Sequence, residues 1–449
     1  MSQDMQSTRL IRAHSSPVPR YTSYPTAPHF CSDIGAADYG EWLATLPAGA
    51  SLSLYVHIPF CHSLCWYCGC NTQASRRYEP VAPYLAALRR EIDNVALAVG
   101  TGHRVVHIHW GGGSPNFLHS DDVEKLADAL RQGFGFGGEP EFAIELDPRY
   151  LTEHQVAGLR RAGVSRVSFG VQDFDETVQV SINRQQSFAV TRHAVDLCRR
   201  AGIASINIDL VYGLPHQTRA SISETVEKVI ELAPDRLAVF GYAHLPARFK
   251  HQRLIDDDTL PDVVERYAQS LRVARRLVAA GYAQVGINHF AKSGDALTGL
   301  KVRRNFQGYT TDGGDVLIGL GASAIGKPGK GYVQNAVTRG DYMRRIGEFG
   351  FATVRGKTLT TNDRIRAHVI ERLMCDLEFD GTDLARRFGE AAATVLTEAE
   401  DLLQADTDGL VARTALGFRI TPAGRPFARS ICSAFDSYLQ RGGGFSIGV

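Results

Sequence analysis

From residue 51 to about residue 290 the chain alternates between two hydrophobic periods. Short runs rich in β-branched and aromatic residues read as strands at 52–58, 105–110, 142–146, 166–171, 205–211, 236–240 and 284–287. Between most of them apolar residues return at helical spacing, as in Tyr84, Leu85, Leu88, Ile92 and Val95, and again over 151–162, 188–201 and 220–232. Gly163, Gly202 and Gly281 each stand between a helical stretch and the next strand, the place where a left-handed glycine ends a helix. Alternating strands and helices build a parallel sheet. Six or seven such units exceed one mononucleotide-binding half, so the pattern predicts an α/β fold built on a partial or complete (β/α) barrel. In such a barrel the active site lies at the C-terminal ends of the strands.

The flanking regions have other characters. Residues 1–50 are polar and proline-bearing around Arg20-Tyr-Thr-Ser-Tyr24-Pro-Thr, which suits either a disordered leader or an arm lying on the main domain. After residue 325 the pattern turns helical, with stretches at 364–373, 381–388 and 391–403. Two short apolar runs at 409–411 and 418–420 and a last helix over 422–439 complete a winged-helix-like module. The expected organisation is an N-terminal arm (1–50), a catalytic barrel (51–325) and a mainly helical C-terminal domain (326–449), with Gly442-Gly-Gly loosening the tail.

Composition narrows the partners. A net charge of +1 with 22% charged residues argues against a nucleic-acid binder and for a small-molecule partner. No apolar run approaches the roughly 18 residues that span a bilayer, and the start Met1-Ser-Gln-Asp is polar, so a cytoplasmic protein is expected. Of the eight cysteines, Cys31, Cys198, Cys375 and Cys432 are scattered singly and read as structural thiols.

The other four fall together directly after the first strand, in Cys61-His-Ser-Leu-Cys65-Trp-Tyr-Cys68-Gly-Cys70. Thiolates in a C-x3-C-x2-C spacing wrap one soft metal centre. A zinc ribbon needs a second pair at comparable spacing, and none follows, so iron–sulfur is favoured. Three cysteines where electron-transfer clusters use four suggest an iron left open to a small molecule. Cys70 fits a fourth ligand, a buried thiol or, the preferred reading, a loop thiol beside the site. Tyr67, between two ligands, would cover the cluster face.

The other strand ends add polar groups to the same rim. Gly111, Gly112 and Gly113 admit close backbone approach. Glu145 and Asp209 are carboxylates in apolar strands, able to accept from ribose hydroxyls or an ammonium. Gln172 and Arg184 could add hydrogen bonds or carboxylate recognition. His107 and His109 alternate along one strand and read as core, whereas His57, His244 and His289 sit near strand ends and are better candidates. Lys292, Lys301, Arg303 and Arg304 form a basic patch suited to an acidic substrate.

These stretches together resemble the radical S-adenosylmethionine enzymes, and within them the oxygen-independent coproporphyrinogen III oxidases. The resemblance is carried by Arg20-Tyr-Thr-Ser-Tyr-Pro-Thr-Ala, Tyr55-Val-His-Ile-Pro-Phe-Cys through Cys70-Asn, His109-Trp-Gly-Gly-Gly-Ser-Pro and Glu145-Leu-Asp-Pro-Arg. Gly170-Val-Gln-Asp-Phe, Asp209-Leu-Val-Tyr-Gly-Leu-Pro, Tyr242-Ala-His-Leu-Pro and Arg304-Asn-Phe-Gln-Gly-Tyr extend it. It implies a [4Fe–4S] cluster on Cys61, Cys65 and Cys68 and S-adenosylmethionine, two molecules of it, with Cys70 nearby rather than ligating. By position, Tyr55, Tyr67, Gly69, Gly111, Gly112, Gly113, Glu145, Gln172, Arg184, Asp209, Ala243 and Ile325 would line the cofactor site. Tyr55, Cys70, Asn288 and Gln307 would be the catalytic positions. The implied substrate is a porphyrinogen, the implied partner a low-potential electron donor, and the expected working unit a monomer.

Two departures fall on the substrate side. Asn288 stands where the family usually has Asp, and the segment 292–303 is some four residues short. A haem-binding chaperone or a radical methyltransferase of the same superfamily are the alternative readings.

Overall fold

The computed structural model describes residues 3–203, 205–439 and 445–448. Its centre is a nine-stranded sheet. We label the strands in chain order β1 (Ser51–Ile58), β2 (Arg104–Gly112), β3 (Glu141–Leu146), β4 (Arg166–Gln172), β5 (Ser205–Tyr212) and β6 (Arg236–Gly241). β7 (Tyr282–Val285), β8 (His289–Lys292) and β9 (Val316–Leu320) follow. The order across the sheet is β9-β1-β2-β3-β4-β5-β6-β8-β7. Neighbours from β9 to β6 run parallel. β8 is antiparallel to both β6 and β7. The chain thus forms a partial (β/α) barrel.

Alternation along each strand divides the two faces. Ile108 and Trp110 of β2, Ile144 of β3, Phe169 of β4 and Ile208 of β5 point outward into the main hydrophobic core, which the helices cover. Their neighbours His109, Glu145, Ser168 and Asp209 line the barrel interior. Burial of the outward set is the main stabilising term, at roughly 25 cal/mol per Å2 of apolar surface. Helices Val81–Val99, Glu153–Ala162, Phe188–Arg200 and Arg219–Leu232 stand where periodicity placed them, within a few residues. Gly163 caps its helix at φ +95°, a conformation costly to a residue with a Cβ.

The structure corrects the last unit. Residues 282–292 form an antiparallel hairpin turning at Gly286 (φ +53°), not another parallel strand, so Asn288 lies in the turn. The sheet gains its parallel edge from β9, whose Val-Leu-Ile-Gly-Leu run was not expected as a strand because five apolar residues show no period.

The N-terminal arm packs on the rest of the chain. Tyr21 donates to Asp436 at 3.0 Å, and the Tyr24 and Ser437 hydroxyls meet at 3.0 Å. Helix Ala36–Ala44 buries Tyr39, Trp42 and Leu43 in the main core. That core continues through Val333, Tyr342 and Ala352, and a second core runs from Ile365 to Phe435. The C-terminal part holds helices Thr361–Cys375, Gly381–Phe388 and Ala393–Ala405 beside a three-stranded sheet. Its third strand, Glu378–Asp380, is too short to show a period. The expected last helix is broken: Arg425–Phe427 and Ser433–Phe435 are single 3-10 turns around Ala428–Cys432. Pro426 and the packing of Phe427 and Phe435 into the second core interrupt it. The glycines at 442–444 lie outside the described residues.

Candidate active site

The cysteine loop is tied down before any ligand arrives. Directly after β1, Phe60 and Cys61 pair in parallel with Gln73 and Ala74, which closes the loop at its base. Its backbone is held from two sides. Trp66 N donates to Ile182 O at 2.9 Å, and Asn183 Nδ2 donates to Leu64 O at 2.9 Å. Gln252 Nε2 donates to Tyr67 O at 3.0 Å and to Ala243 O at 3.2 Å, joining the loop to the chain beyond β6. His251 Nε2 lies 2.7 Å from Cys68 O.

The surroundings of the sulfurs suit thiolates. Thr72 Oγ1 and Ser114 Oγ lie 3.0 and 3.6 Å from Cys61 Sγ. Arg184 Nη1 donates to Cys65 Sγ at 3.5 Å, and Cys70 N donates to Cys68 Sγ at 3.4 Å. The Cys70 side chain also bonds Cys68, and this pushes Cys68 down to about 7 and Cys70 well above the usual thiol range. Burial raises Cys61. Cys70 therefore serves as a donor to the Cys68 sulfur. Among the described residues no three His, Cys, Asp or Glu side chains converge closely enough for a single metal ion. Cys61, Cys65 and Cys68 are free thiols on one loop, the donor type that holds iron–sulfur clusters, so the residues present fit such a cluster.

The glycine run at the end of β2 makes room for neighbouring side chains. A Cβ on Gly111 would stand 2.7 Å from the Glu145 carboxyl carbon, and one on Gly112, at φ +103°, would run into the His57 ring. A Cβ on Gly113 would strike Phe60 O at 2.6 Å. These glycines seat Glu145 and His57 as much as they open the backbone to a ligand.

Around them a polar chain runs along the barrel interior. Tyr55 Oη lies 3.0 Å from His57 Nδ1, whose Nε2 lies 2.8 Å from Asn71 O. The Tyr55 ring stacks on His109 at 6.0 Å, and His109 Nε2 is 3.1 Å from Glu145 Oε1. Burial pushes Glu145 up, but the His109 bond and the Gly112 amide at 3.2 Å outweigh it and hold the carboxyl below its ordinary range. Asp209 behaves oppositely. Burial and the Glu145 charge raise it to about 7, although Ser168 and Asn207 donate to it at 3.0 and 2.8 Å.

Gln172, at φ +71°, closes β4 at a register shift. Arg184 bonds Gly170 O and reaches Asp147 at 3.4 Å, and that charge keeps the guanidinium firmly protonated despite burial. Its Nε is buried without a partner. Tyr67 packs with the buried Val211 and Tyr242, and a Cβ on Gly69 would meet the Phe249 ring at an ordinary 3.6 Å. Ile325, beyond β9, packs with Phe30, Phe306 and Tyr332. Asn288 Oδ1 accepts from His289 Nδ1 at 3.1 Å, and Gln307 occupies the turn between Asn305 and Gly308.

Glu145, Asp209, Asn288 and Gln307 all border one cavity of about 450 Å3 inside the barrel, a size typical of ligand sites. His109, read from the sequence as core, is buried yet bonds the site carboxylate; its place two residues before Gly111 on an inward-facing period was the available signal. His289 lines the cavity and is held neutral, pushed down to about 3 by burial and nearby arginines. His244 instead bonds Tyr242 and Asp257, at 2.8 and 2.7 Å. The expected basic patch divides: Lys292 pairs with Asp235 at 3.7 Å, Lys301 and Arg303 are exposed, and Arg304 alone of the four borders the cavity.

Residues 55–229 match the family model of the radical SAM superfamily, and residues 359–427 match the HemN C-terminal domain. The oxygen-independent coproporphyrinogen III oxidase of Bradyrhizobium diazoefficiens is 48% identical, with 95% of each chain covered. That of Paracoccus denitrificans is 44% identical over 96% of each chain. The solved coproporphyrinogen III oxidase (HemN) from Escherichia coli, described as a radical SAM enzyme, is 39% identical and superposes with a TM-score of 0.90. That alignment covers 96% of this chain and 99% of the other. The chain belongs to the radical SAM superfamily and, within it, to the oxygen-independent coproporphyrinogen III oxidases.

Proposed function

We propose, with that membership as the premise, that this protein converts coproporphyrinogen III to protoporphyrinogen IX in haem biosynthesis. Two propionate side chains become vinyl groups, each losing one hydrogen atom, one CO2 and one electron. The observation that carries the reading is an interior cavity with Glu145 and Asp209 along its barrel wall and, at its far side, arginines that have no carboxylate partner among the described residues.

When bound, a [4Fe–4S] cluster and S-adenosylmethionine supply one electron and a 5′-deoxyadenosyl radical that takes hydrogen from a propionate β-carbon. Cys61, Cys65 and Cys68 would hold the cluster, and Arg184, Thr72, Ser114 and Cys70 donate towards their sulfurs. Gly111, Gly112 and Gly113, Glu145, Gln172, Arg184 and Asp209 would bind S-adenosylmethionine, with Tyr55, Tyr67, Gly69, Ala243 and Ile325 around them. Glu145, kept anionic by His109, suits an ammonium or ribose hydroxyls. A second S-adenosylmethionine would lie beside Cys70. Asn288 and Gln307 border the cavity and would meet the substrate. The barrel at 51–325 is the catalytic unit, and the arm at 1–50 and the region at 326–449 cover it, since Arg20 and Arg429 also border the cavity. That enclosure keeps water from a reactive radical. A monomeric working unit with an external low-potential electron donor completes the reading. Among the described residues no helix is long and apolar enough to cross a membrane.

The test is anaerobic reconstitution with iron, sulfide, reductant, S-adenosylmethionine and coproporphyrinogen III, followed by chromatography. Protoporphyrinogen IX formed with 5′-deoxyadenosine is the expected result. Formation of 5′-deoxyadenosine without protoporphyrinogen would refute the substrate and leave the radical chemistry standing. Equilibrium dialysis with S-adenosylmethionine counts the cofactor molecules bound, two being expected.

A further inference from the structure

The arginines bordering the cavity fall into two groups. Arg166 pairs with Glu141 at 2.6 Å and Arg236 with Asp295 at 2.8 Å, at the end where the strands begin. Arg20, Arg266, Arg304, Arg425 and Arg429, on the side closed by the arm and the C-terminal region, have no carboxylate partner among the described residues. Apart from Arg429 Nη2, which also donates to Ser446 Oγ at 3.2 Å, their hydrogen bonds go to backbone carbonyls. Arg20 Nη2 donates to Gly241 O at 2.9 Å, Arg266 Nη2 to Tyr242 O at 2.9 Å and Arg425 Nε to Gly286 O at 2.9 Å. Arg429 is fully engaged, donating to Pro19 O at 3.1 Å and Ile447 O at 3.0 Å and also to Val18 O. Carbonyls take part of the donors and leave the charge.

Arg304 is the least satisfied of the group. Its guanidinium lies 4.5 Å from the Tyr309 ring centre, and its Nη2 reaches Arg20 O at 3.3 Å. Its Nε and Nη1 are buried without any hydrogen-bond partner. Glu371 accepts from the Arg304 backbone N at 3.4 Å rather than from the guanidinium. Arg20 is accessible and borders the cavity. Burial and the neighbouring Arg20 and Arg304 charges push Arg429 down to about 9, and burial with Arg304 lowers Arg20. Buried like charges without counterions are costly, and an anion in the cavity removes the cost.

We propose that Arg20 and Arg304, positioned by Arg429, form a clamp for the carboxylates of the two propionates that the reaction leaves intact. The clamp rests on the substrate assigned above. Guanidinium forks match carboxylates in geometry as well as charge. One macrocycle edge held there directs the opposite edge, with its reacting propionates, towards Glu145 and Asp209. Arg429 is a positioning residue: it fastens Val18 and Pro19, directly before Arg20, to the C-terminal region.

The test uses the full chain and two stable porphyrins, coproporphyrin III and its tetramethyl ester, titrated by absorbance and fluorescence. Wild type should bind the tetracarboxylate at least about tenfold more tightly than the ester. Arg304→Gln and Arg20→Gln should each weaken coproporphyrin III binding about tenfold and leave ester binding within about twofold, while Arg304→Lys recovers part of the loss. Near-UV circular dichroism checks that each variant is folded. Wild type that binds ester and acid alike overturns the clamp without recourse to any variant, as do folded Gln variants that bind coproporphyrin III like wild type. In either case conversion of coproporphyrinogen III by wild type keeps the proposed function. Wild type that neither binds nor converts the tetracarboxylate overturns both.

Discussion

His109 Nε2 and Glu145 Oε1 lie 3.1 Å apart across adjacent strands, and this pair keeps a carboxylate charged on the cavity wall. Because Glu145 is held below its ordinary value, its charge persists through neutral pH, and any stability it contributes is lost only in acid, as pH falls through that lowered value. Glu145→Gln should weaken S-adenosylmethionine binding about tenfold, as loss of a charged acceptor does. Equilibrium dialysis with labelled cofactor measures it. Unchanged affinity would remove Glu145 from the cofactor site.

Asp209 predicts the opposite pH behaviour. Its folded value, raised to about 7, means the folded chain holds a proton that the unfolded chain releases near the ordinary 3.8. Stability from this group therefore falls as pH rises between those values. Asp209→Asn should raise the melting temperature of the apoprotein at pH above that window and do less below it. The same change should lower S-adenosylmethionine affinity at alkaline pH. A thermal series across pH with parallel dialysis checks both signs.

Cys65 and Cys70 separate ligand from neighbour. Cys65→Ser should abolish the visible absorption of the reconstituted cluster. Cys70→Ser should retain it, because Cys70 donates to Cys68. Iron and sulfide analysis after desalting provides the second reading. Loss of the cluster in both variants would make Cys70 a fourth ligand.

Glu91 anchors the barrel edge by a fully buried network. It accepts from Gly321 N at 2.7 Å, Asn335 Nδ2 at 2.6 Å and Tyr342 Oη at 2.7 Å. Glu91→Ala strands three buried donors and should destabilise the fold by about 3 kcal/mol. Burial raises Glu91 to about 7, so its contribution declines as pH climbs from its ordinary 4.5 towards that value. Glu91→Gln should cost less than Glu91→Ala and remove that pH slope. Denaturant midpoints at several pH values give the comparison.

The sequence by itself determined the strands β1 to β6, most of the helices between them and the cysteine loop, because each rests on local regularities of a few residues. Period two in β2 to β5 separates an outward set such as Ile108, Trp110, Ile144, Phe169 and Ile208 from inward His109, Glu145, Ser168 and Asp209. The spacing of Cys61, Cys65 and Cys68 is equally local. Tertiary structure alone decided what depends on closure over long chain separations. The hairpin at Asn288 follows from a turn at Gly286 rather than from the apolar count of its strands. β9 joins β1 across more than two hundred residues, and no period foretells a partner. The meeting of Arg20, Arg304 and Arg429 needs the arm, a hairpin and the C-terminal region to converge on one cavity. In the sequence each is an ordinary arginine. Only their meeting at one cavity, with no carboxylate partner among the described residues, makes them a site.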